Sequence, residues 1–525
     1  MVSRAHDAEV IVVGGGHNGL ICAAYLARAG IDTLLLEARP TVGGCASTVE
    51  MWDARFNICN CDHTMIRALP VIDELELTAH GLEYLEADTG QISVFHDGSP
   101  AWVHFDDIDQ TIEGLRQSYP RSADGYRRYV RDALPVARLI IEMAQTRAST
   151  TTMVARAARH GGRGGARLIR WSRSSLSDVL GHYFPDWQMV MPATSSGPTV
   201  WGVPPDLPGT GLAAAIYASR HLIKTGRPVG GSGALTDSIA ASHLHAGGRI
   251  RCDARVQRLV IDGDTITGVS LTDGTTLTAD TVVAAYDPHR VLLDWLDNTP
   301  PRARKLVDRY RSRPVIDGYE SKVDAILGSR PRYKAFGPLQ ERHPELELMG
   351  ATVVVCPNID DLAEAHERRP SGGVADRPTM LVNVPSVLDP SVAPSSSQHV
   401  LSLEALFTPY ALRGGWPNSD EPQRWIDQWG ALLEPGSLEI EKWRVMTPDR
   451  YEQEFSLHRG HTPSYSGSPL AALLGRNKET TRYRSPIDGL YFTGAGTFPG
   501  AGVFGASGRN AAEVVRRDRR RARRG

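Results

Sequence analysis

The feature that most constrains the fold stands near the start of the chain. Val10-Ile11-Val12-Val13 is a short all-apolar run, the pattern of a parallel strand buried on both faces, and it passes straight into Gly14-Gly15-Gly16-His17-Asn18-Gly19. Leu20 to Ala29 follows, rich in small and apolar residues, and stops at the helix-ending Gly30. A second apolar run, Thr33-Leu34-Leu35-Leu36, ends on Glu37. Each piece has a physical task. Gly14 permits the tight turn out of the strand, Gly16 lets a pyrophosphate approach without meeting a Cβ, and Gly19 allows the helix to pack close on the sheet. The helix N-terminus, with His17 and Asn18 in its first turn, offers free N–H groups and a positive dipole end to phosphates. Glu37 would accept hydrogen bonds from an adenosine ribose. The glycines alone are weak evidence. In the order strand, turn, helix, strand and terminal acid they predict a Rossmann-type dinucleotide site.

The chain of 525 residues has room for two or three domains, and its net charge of −2 gives no global pull toward nucleic acid or membrane. No apolar run approaches the roughly 18 residues of a spanning helix. The polar start followed by four apolar residues reads as a first strand, not a signal peptide. Six scattered cysteines fit a reduced, cytoplasmic chain.

Which dinucleotide is decided just downstream. Glu37-Ala38-Arg39-Pro40-Thr41-Val42-Gly43-Gly44 sets a basic residue and a glycine pair behind the ribose acid. Those glycines would let the chain pass close to the ribityl and flavin portions of FAD. An NAD domain needs no such loop, and an NADP site would prefer a basic residue at Glu37. Near the C-terminus, the strand-like Leu490 to Thr493 breaks into Gly494-Ala495-Gly496. Gly502, Val503 and Gly505 then lead into a helix. A glycine-lined strand end before a helix N-terminus suits the flavin's N1–C2=O edge, where the dipole stabilises negative charge gained on reduction.

Together, Gly-Gly-Gly-His-Asn-Gly-Leu, Glu-x-x-Pro-x-Val-Gly-Gly and Leu-Tyr-Phe-Thr-Gly-Ala-Gly-Thr-Phe-Pro-Gly-Ala-Gly-Val-x-Gly-Ala resemble the phytoene dehydrogenase (carotenoid desaturase) family. Pro228 to Leu235, with Arg249-Ile250 and Ala254-Arg255-Val256, is similar to that family's second FAD segment, in which a backbone group near Val256 would contact the adenine. The resemblance implies an α/β fold: a Rossmann-like FAD-binding domain assembled from three segments, starting at Gly14, Gly230 and Gly494, with an inserted α+β substrate or cap domain. It also implies non-covalent FAD, hydride abstraction or transfer at carbon of an apolar, polyene or isoprenoid-like substrate, and O2 or a quinone as electron acceptor. Desaturation, saturation and isomerisation all occur on this fold, so the reaction's direction does not follow from it. A flavoprotein with a regulatory or partner-binding role, and a flavin amine oxidase with an aromatic cage, remain open.

Other motifs point away from chemistry. Disulfide reductases carry C-x4-C after the first glycine loops, but Cys45 is followed only by Cys59 and Cys61. Gly209-Thr210-Gly211 and Gly231-Ser232-Gly233 lack the strand and acid of a second nucleotide site, so bound NAD(P) is not expected. No metal-ligand spacing occurs among the histidines. Asp62 and His63, in Asn60-Cys61-Asp62-His63-Thr64, are the candidates for polar, catalytic residues beside the flavin, with a structural hydrogen-bonding role the competing reading. His458 and His461 could face the substrate.

The organisation expected is a first FAD segment over 1–80, a mostly helical insertion over 81–225 with a hairpin at Ile92–Phe105, a second FAD segment over 226–290, a substrate domain over 291–480 and a third FAD segment over 481–515. A disordered basic tail, 516–525, would follow. From Arg121 to Arg173 about a dozen arginines face about three acids. That segment reads either as a peripheral membrane contact or as a solvated helix pair joined by a flexible loop, Gly161-Gly162-Arg163-Gly164-Gly165.

Overall fold

The computed structural model describes residues 6–59, 61–145, 155, 161–195, 197, 202–461, 465, 469–500 and 502–524. Asn60, and Arg147, Arg156 and Arg159 of the basic segment, lie outside them. β1 (Val10–Val13), α1 (His17–Arg28) and β2 (Thr33–Leu36) form the expected strand, helix and strand. β1 and β2 lie in a five-stranded parallel sheet with Thr281–Ala284 and Leu490–Phe492 on one side and Arg249–Arg251 on the other. Alternation along the strands divides the core. Val10, Val12 and Leu35 pack with α1 and the helices Gly233–His245 and Ala506–Ala522. Ile11, Val13, Leu34 and Leu36 face an antiparallel three-stranded sheet spanning Val256–Asp262, Thr265–Leu271 and Thr276–Thr278.

The helix Ala506–Ala522 corrects the expectation of a disordered tail. Its apolar residues, Val514 and Val515 among them, are buried. Among its charges, Arg519 pairs with Glu9 at 2.6 Å and Asp518 with Arg484 at 2.7 Å. The Gly161–Gly165 loop is likewise helix, within Gly161–Trp171. A Cβ on the buried Gly164 would lie 3.6 Å from Pro135, in ordinary contact with the helix Pro120–Ala144.

Apart from the two-stranded pairs Thr48–Met51/Ala54–Asn57 and Tyr84–Glu86/Gly226–Pro228, the remaining strands build one seven-stranded sheet, which the hairpin Gln91–Phe95/Trp102–His104 enters beside Thr352–Cys356. One face is apolar and packs on Trp425 and Trp429. The other carries a polar row across every strand: Arg444, Asp324, Ser402, Asn383, Thr352, Gln91 and His104. Beyond that row, the helices within 108–145 and 161–194 add an aromatic core that includes Trp102, Tyr126, Tyr129 and Phe184.

Candidate functional site

Three strand ends meet at the carboxyl edge of the parallel sheet, where open α/β folds bind ligands. Ala285 N donates to Val13 O at 2.8 Å and Thr493 N to Ala284 O at 2.9 Å. Gly14 turns there with φ +108°, and a Cβ on it would stand 2.7 Å from Ala285 O. A Cβ on Gly19 would stand 2.0 Å from Gly14 O. Gly16 differs: a Cβ there would meet nothing within 4 Å. Gly43 N donates to Gly15 O at 2.8 Å, which holds the second glycine loop over the first. Glu37 accepts from Gly15 N at 2.7 Å and from Arg39 N at 2.9 Å. These two bonds fix the carboxylate at the end of β2.

A cavity of about 490 Å³ opens at this edge. Of the residues expected from sequence, Gly14, Gly16, His17, Asn18, Gly19, Glu37, Ala38, Arg39, Gly44, Val256, Gly494 and Ala495 line it. Gly43, Gly502, Val503 and Gly505 do not. Gly502 offers its backbone to His17, and Gly505 brings the last helix against α1, since a Cβ there would stand 2.6 Å from Ile21. The Gly230 segment also departs from expectation. Gly231 and Gly233 pack on Thr48 of the hairpin Thr48–Met51/Ala54–Asn57, and the cavity is reached instead by Ala254 to Gln257.

Sequence reasoning missed Ala285-Tyr286-Asp287, Trp295 and the stretch Phe455-Ser456-Leu457, all in the cavity wall. Tyr286 stacks on Trp295 with ring centres 5.4 Å apart, and its hydroxyl donates to Ser456 O at 2.6 Å. The Arg39 guanidinium lies 4.2 Å from the centre of the Phe455 ring. The apolar run Thr281–Ala284 is a strand of the parallel sheet, so the rule of ligands at strand carboxyl ends could have found Ala285. Nothing local marks Phe455. His458 and His461 line this same cavity, and burial lowers the His461 imidazole to about 4.

Asp62 and His63 stand elsewhere; neither lines the cavity. Asp62 is held by Arg227 at 2.7 Å and by the Thr352 hydroxyl, and Arg227 also donates to Asn383 Oδ1 at 2.7 Å. Burial raises the Asp62 carboxyl, but Arg227 and the hydrogen bonds outweigh it and leave the group below its ordinary range. His63 lies 3.0 Å from the Tyr84 hydroxyl and 3.1 Å from Ser232 Oγ, and burial lowers it to about 3. These contacts tie the first glycine segment to the polar row of the large sheet. Asp62→Ala is therefore expected to cost about 3–5 kcal/mol, because it strands a buried guanidinium. Urea unfolding of the two proteins measures this.

A parallel sheet with two glycine loops, a ribose-type acid and a third strand end around one long cavity defines an FAD-dependent oxidoreductase. Residues 19–319 match the family described as flavin containing amine oxidoreductase, and the chain belongs to that family. It is 28% identical to mouse pyridine nucleotide-disulfide oxidoreductase domain-containing protein 2, over 98% of this chain and 94% of that one. It is 25% identical to the lycopene-forming phytoene desaturase of a Paracoccus species, over 95% of each. The resemblance drawn from the motifs is thus borne out. An oxidoreductase structure from Methanosarcina mazei shares the fold, with a TM-score of 0.60 at 14% identity, covering 97% of this chain and 99% of that one. Among the described residues no helix is long and apolar enough to cross a membrane.

Proposed function

We propose that the cavity holds FAD and that the protein moves hydride at a carbon of an apolar, isoprenoid-like small molecule, with O2 or a quinone taking the electrons. The open space at Gly16, facing Gly44 and in line with Glu37, carries this reading. A backbone bare of side chains next to a helix N-terminus is what a pyrophosphate requires. Glu37, already oriented by two backbone donors, keeps lone pairs for the ribose. Ala254 to Gln257 would border the adenine, and Gly494 and Ala495 the flavin. When bound, FAD supplies the hydride acceptor or donor. The chain contributes position, exclusion of water and the stabilising N–H groups of its strand ends, and no side-chain triad is needed.

On this reading the segments 1–80, 226–290 and 481–515 make the cofactor half, and 81–225 with 291–480 the substrate half. The apolar substrate class rests on the near full-length match to a phytoene desaturase. The helix Pro120–Ala144 exposes Arg121, Arg127, Arg128, Arg131 and Arg138 on one side, which supports peripheral contact with an anionic membrane. Anaerobic reduction tests the function. The bound flavin is expected to bleach with a member of a panel of isoprenoid hydrocarbons and polyenes, read by loss of its visible absorbance. Bleaching by amines alone would replace the proposal with an amine oxidase.

A further inference from the structure

Cys45 follows the second glycine pair and lines the large cavity. Cys59 leaves the hairpin Thr48–Met51/Ala54–Asn57 on its other strand. Sequence alone separates them, but the hairpin does not stop at Thr48 and Asn57: Ile58 N donates to Ser47 O at 3.1 Å, one pair further out. The strands thus deliver both cysteines to the same end of the ladder, where the Cys59 thiol and the Cys45 side chain are hydrogen-bonded. Cys59 also borders a second, water-sized cavity with Tyr319, Glu320 and Tyr451, and Leu457 is common to both cavities. One thiol of the pair faces the cofactor cavity and the other stands behind it.

We propose that Cys45 and Cys59 are a peroxide-sensitive dithiol whose disulfide ties the second glycine loop to the exit of the hairpin. The oxidant is hydrogen peroxide, the product class formed when a reduced flavin passes electrons to O2. The Cys45 sulfur attacks one peroxide oxygen, the O–O bond breaks, and sulfenic acid and one water result. The Cys59 sulfur then displaces the hydroxyl from Cys45. The S–S bond forms, and the hydroxyl leaves as a second water with the Cys59 proton. Each sulfur gives up one electron, and the peroxide is reduced to two waters. Position assigns the roles: Cys45 is reached from the cavity, and Cys59 resolves. The contact with Cys45 and burial hold the Cys59 thiol protonated, so it sheds that proton as it attacks and the second step is the slower one.

The bond would pin Gly43 and Gly44, so that the loop cannot lift to let a cofactor in or out. That consequence rests on FAD occupying the cavity; the bond itself does not. The full-length FAD-loaded protein is treated with a small molar excess of hydrogen peroxide, alkylated, and mapped by mass spectrometry without reduction. A linked Cys45–Cys59 peptide that disappears on reduction is expected. Release of FAD on dilution, followed by flavin fluorescence, is expected to slow by about tenfold, as a cross-link restrains the loop, and to recover with reductant. Cys59→Ser is expected to give no link and to leave a sulfenic acid on Cys45 that dimedone traps. Both cysteines alkylated after oxidation, or a bridge to another cysteine, overturns the proposal. A link with unchanged FAD release removes only the locking role. Unimpaired FAD binding by Gly16→Val would instead remove the cofactor-site reading and leave the dithiol standing.

Discussion

Gly16→Val is expected to weaken FAD binding at least about a hundredfold, roughly 2.8 kcal/mol, while the apoprotein melts at the wild-type temperature. The two halves of this result have different causes. Gly16 has an ordinary φ of −69°, which valine can adopt, and no atom lies within 4 Å of where its Cβ would stand. Folding is therefore spared. The added side chain instead fills the space between α1 and Gly44 through which, on the proposed function, the pyrophosphate passes close to backbone. Gly19→Ala is the contrasting control: its Cβ would meet Gly14 O at 2.0 Å and Ala285 Cβ at 2.9 Å. Overpacking of that kind costs about 1–3 kcal/mol or more, so this variant loses stability whether or not FAD is present. Fluorescence titration with FAD and thermal melts of the apoproteins separate the two. Equal FAD affinity in Gly16→Val and wild type would mean that the cradle is not the pyrophosphate site.

The same contrast shows what could be read from sequence. The strand, turn, helix and strand from Val10 to Glu37 were legible because the glycines fall in one fixed order within a single stretch of chain. The C-terminal glycines were harder. Gly494 turns at a strand end, whereas Gly505 and Gly508 let the last helix touch α1, where a Cβ on Gly508 would stand 2.3 Å from Asn18 O. Sequence cannot separate a glycine that clears space for a ligand from one that clears space for a helix hundreds of residues away. Asp62 and His63 show the same limit. Their nearness to the flavin loop in sequence was plain, but their partners, Arg227, Thr352 and Ser232, come from distant segments that only the fold assembles. The basic end of the chain was misread as a disordered tail because its stabilising acid, Glu9, sits at the other terminus.

Acid is expected to unfold the apoprotein between about pH 6 and pH 4, well before its carboxylate pairs are lost. Among the described residues, burial holds His17, His63, His96, His104, His221, His243, His366, His399 and His461 below the ordinary imidazole value of 6.5. His63 falls to about 3 and His17 to about 4. As pH drops below 6.5 the unfolded chain takes up protons that the folded chain refuses, so stability falls. Each fully buried imidazole contributes about 1.4 kcal/mol per pH unit until its folded value is reached. His63, His104 and His243, at 0%, 2% and 0% exposure, carry this in full, and the more exposed ones less. Opposing them, Asp106, Asp237, Asp287, Glu320 and Glu404 are raised by burial and keep protons that the unfolded chain sheds. Of these carboxyls, Glu404 alone is pushed well above its ordinary range. Nine lowered imidazoles thus stand against five raised carboxyls, and the net effect is a loss of stability in acid, set against a total of roughly 5–15 kcal/mol. Asp62, lowered by Arg227, adds its loss only when pH falls below its ordinary carboxyl range. Urea midpoints of the apoprotein from pH 7.5 to 4.5 test the slope, and a flat profile down to pH 5 would contradict it. His63→Gln carries the decisive comparison. It removes one refused proton, so its stability should fall less steeply with acid by up to about 1.4 kcal/mol per pH unit, whatever it costs at neutral pH.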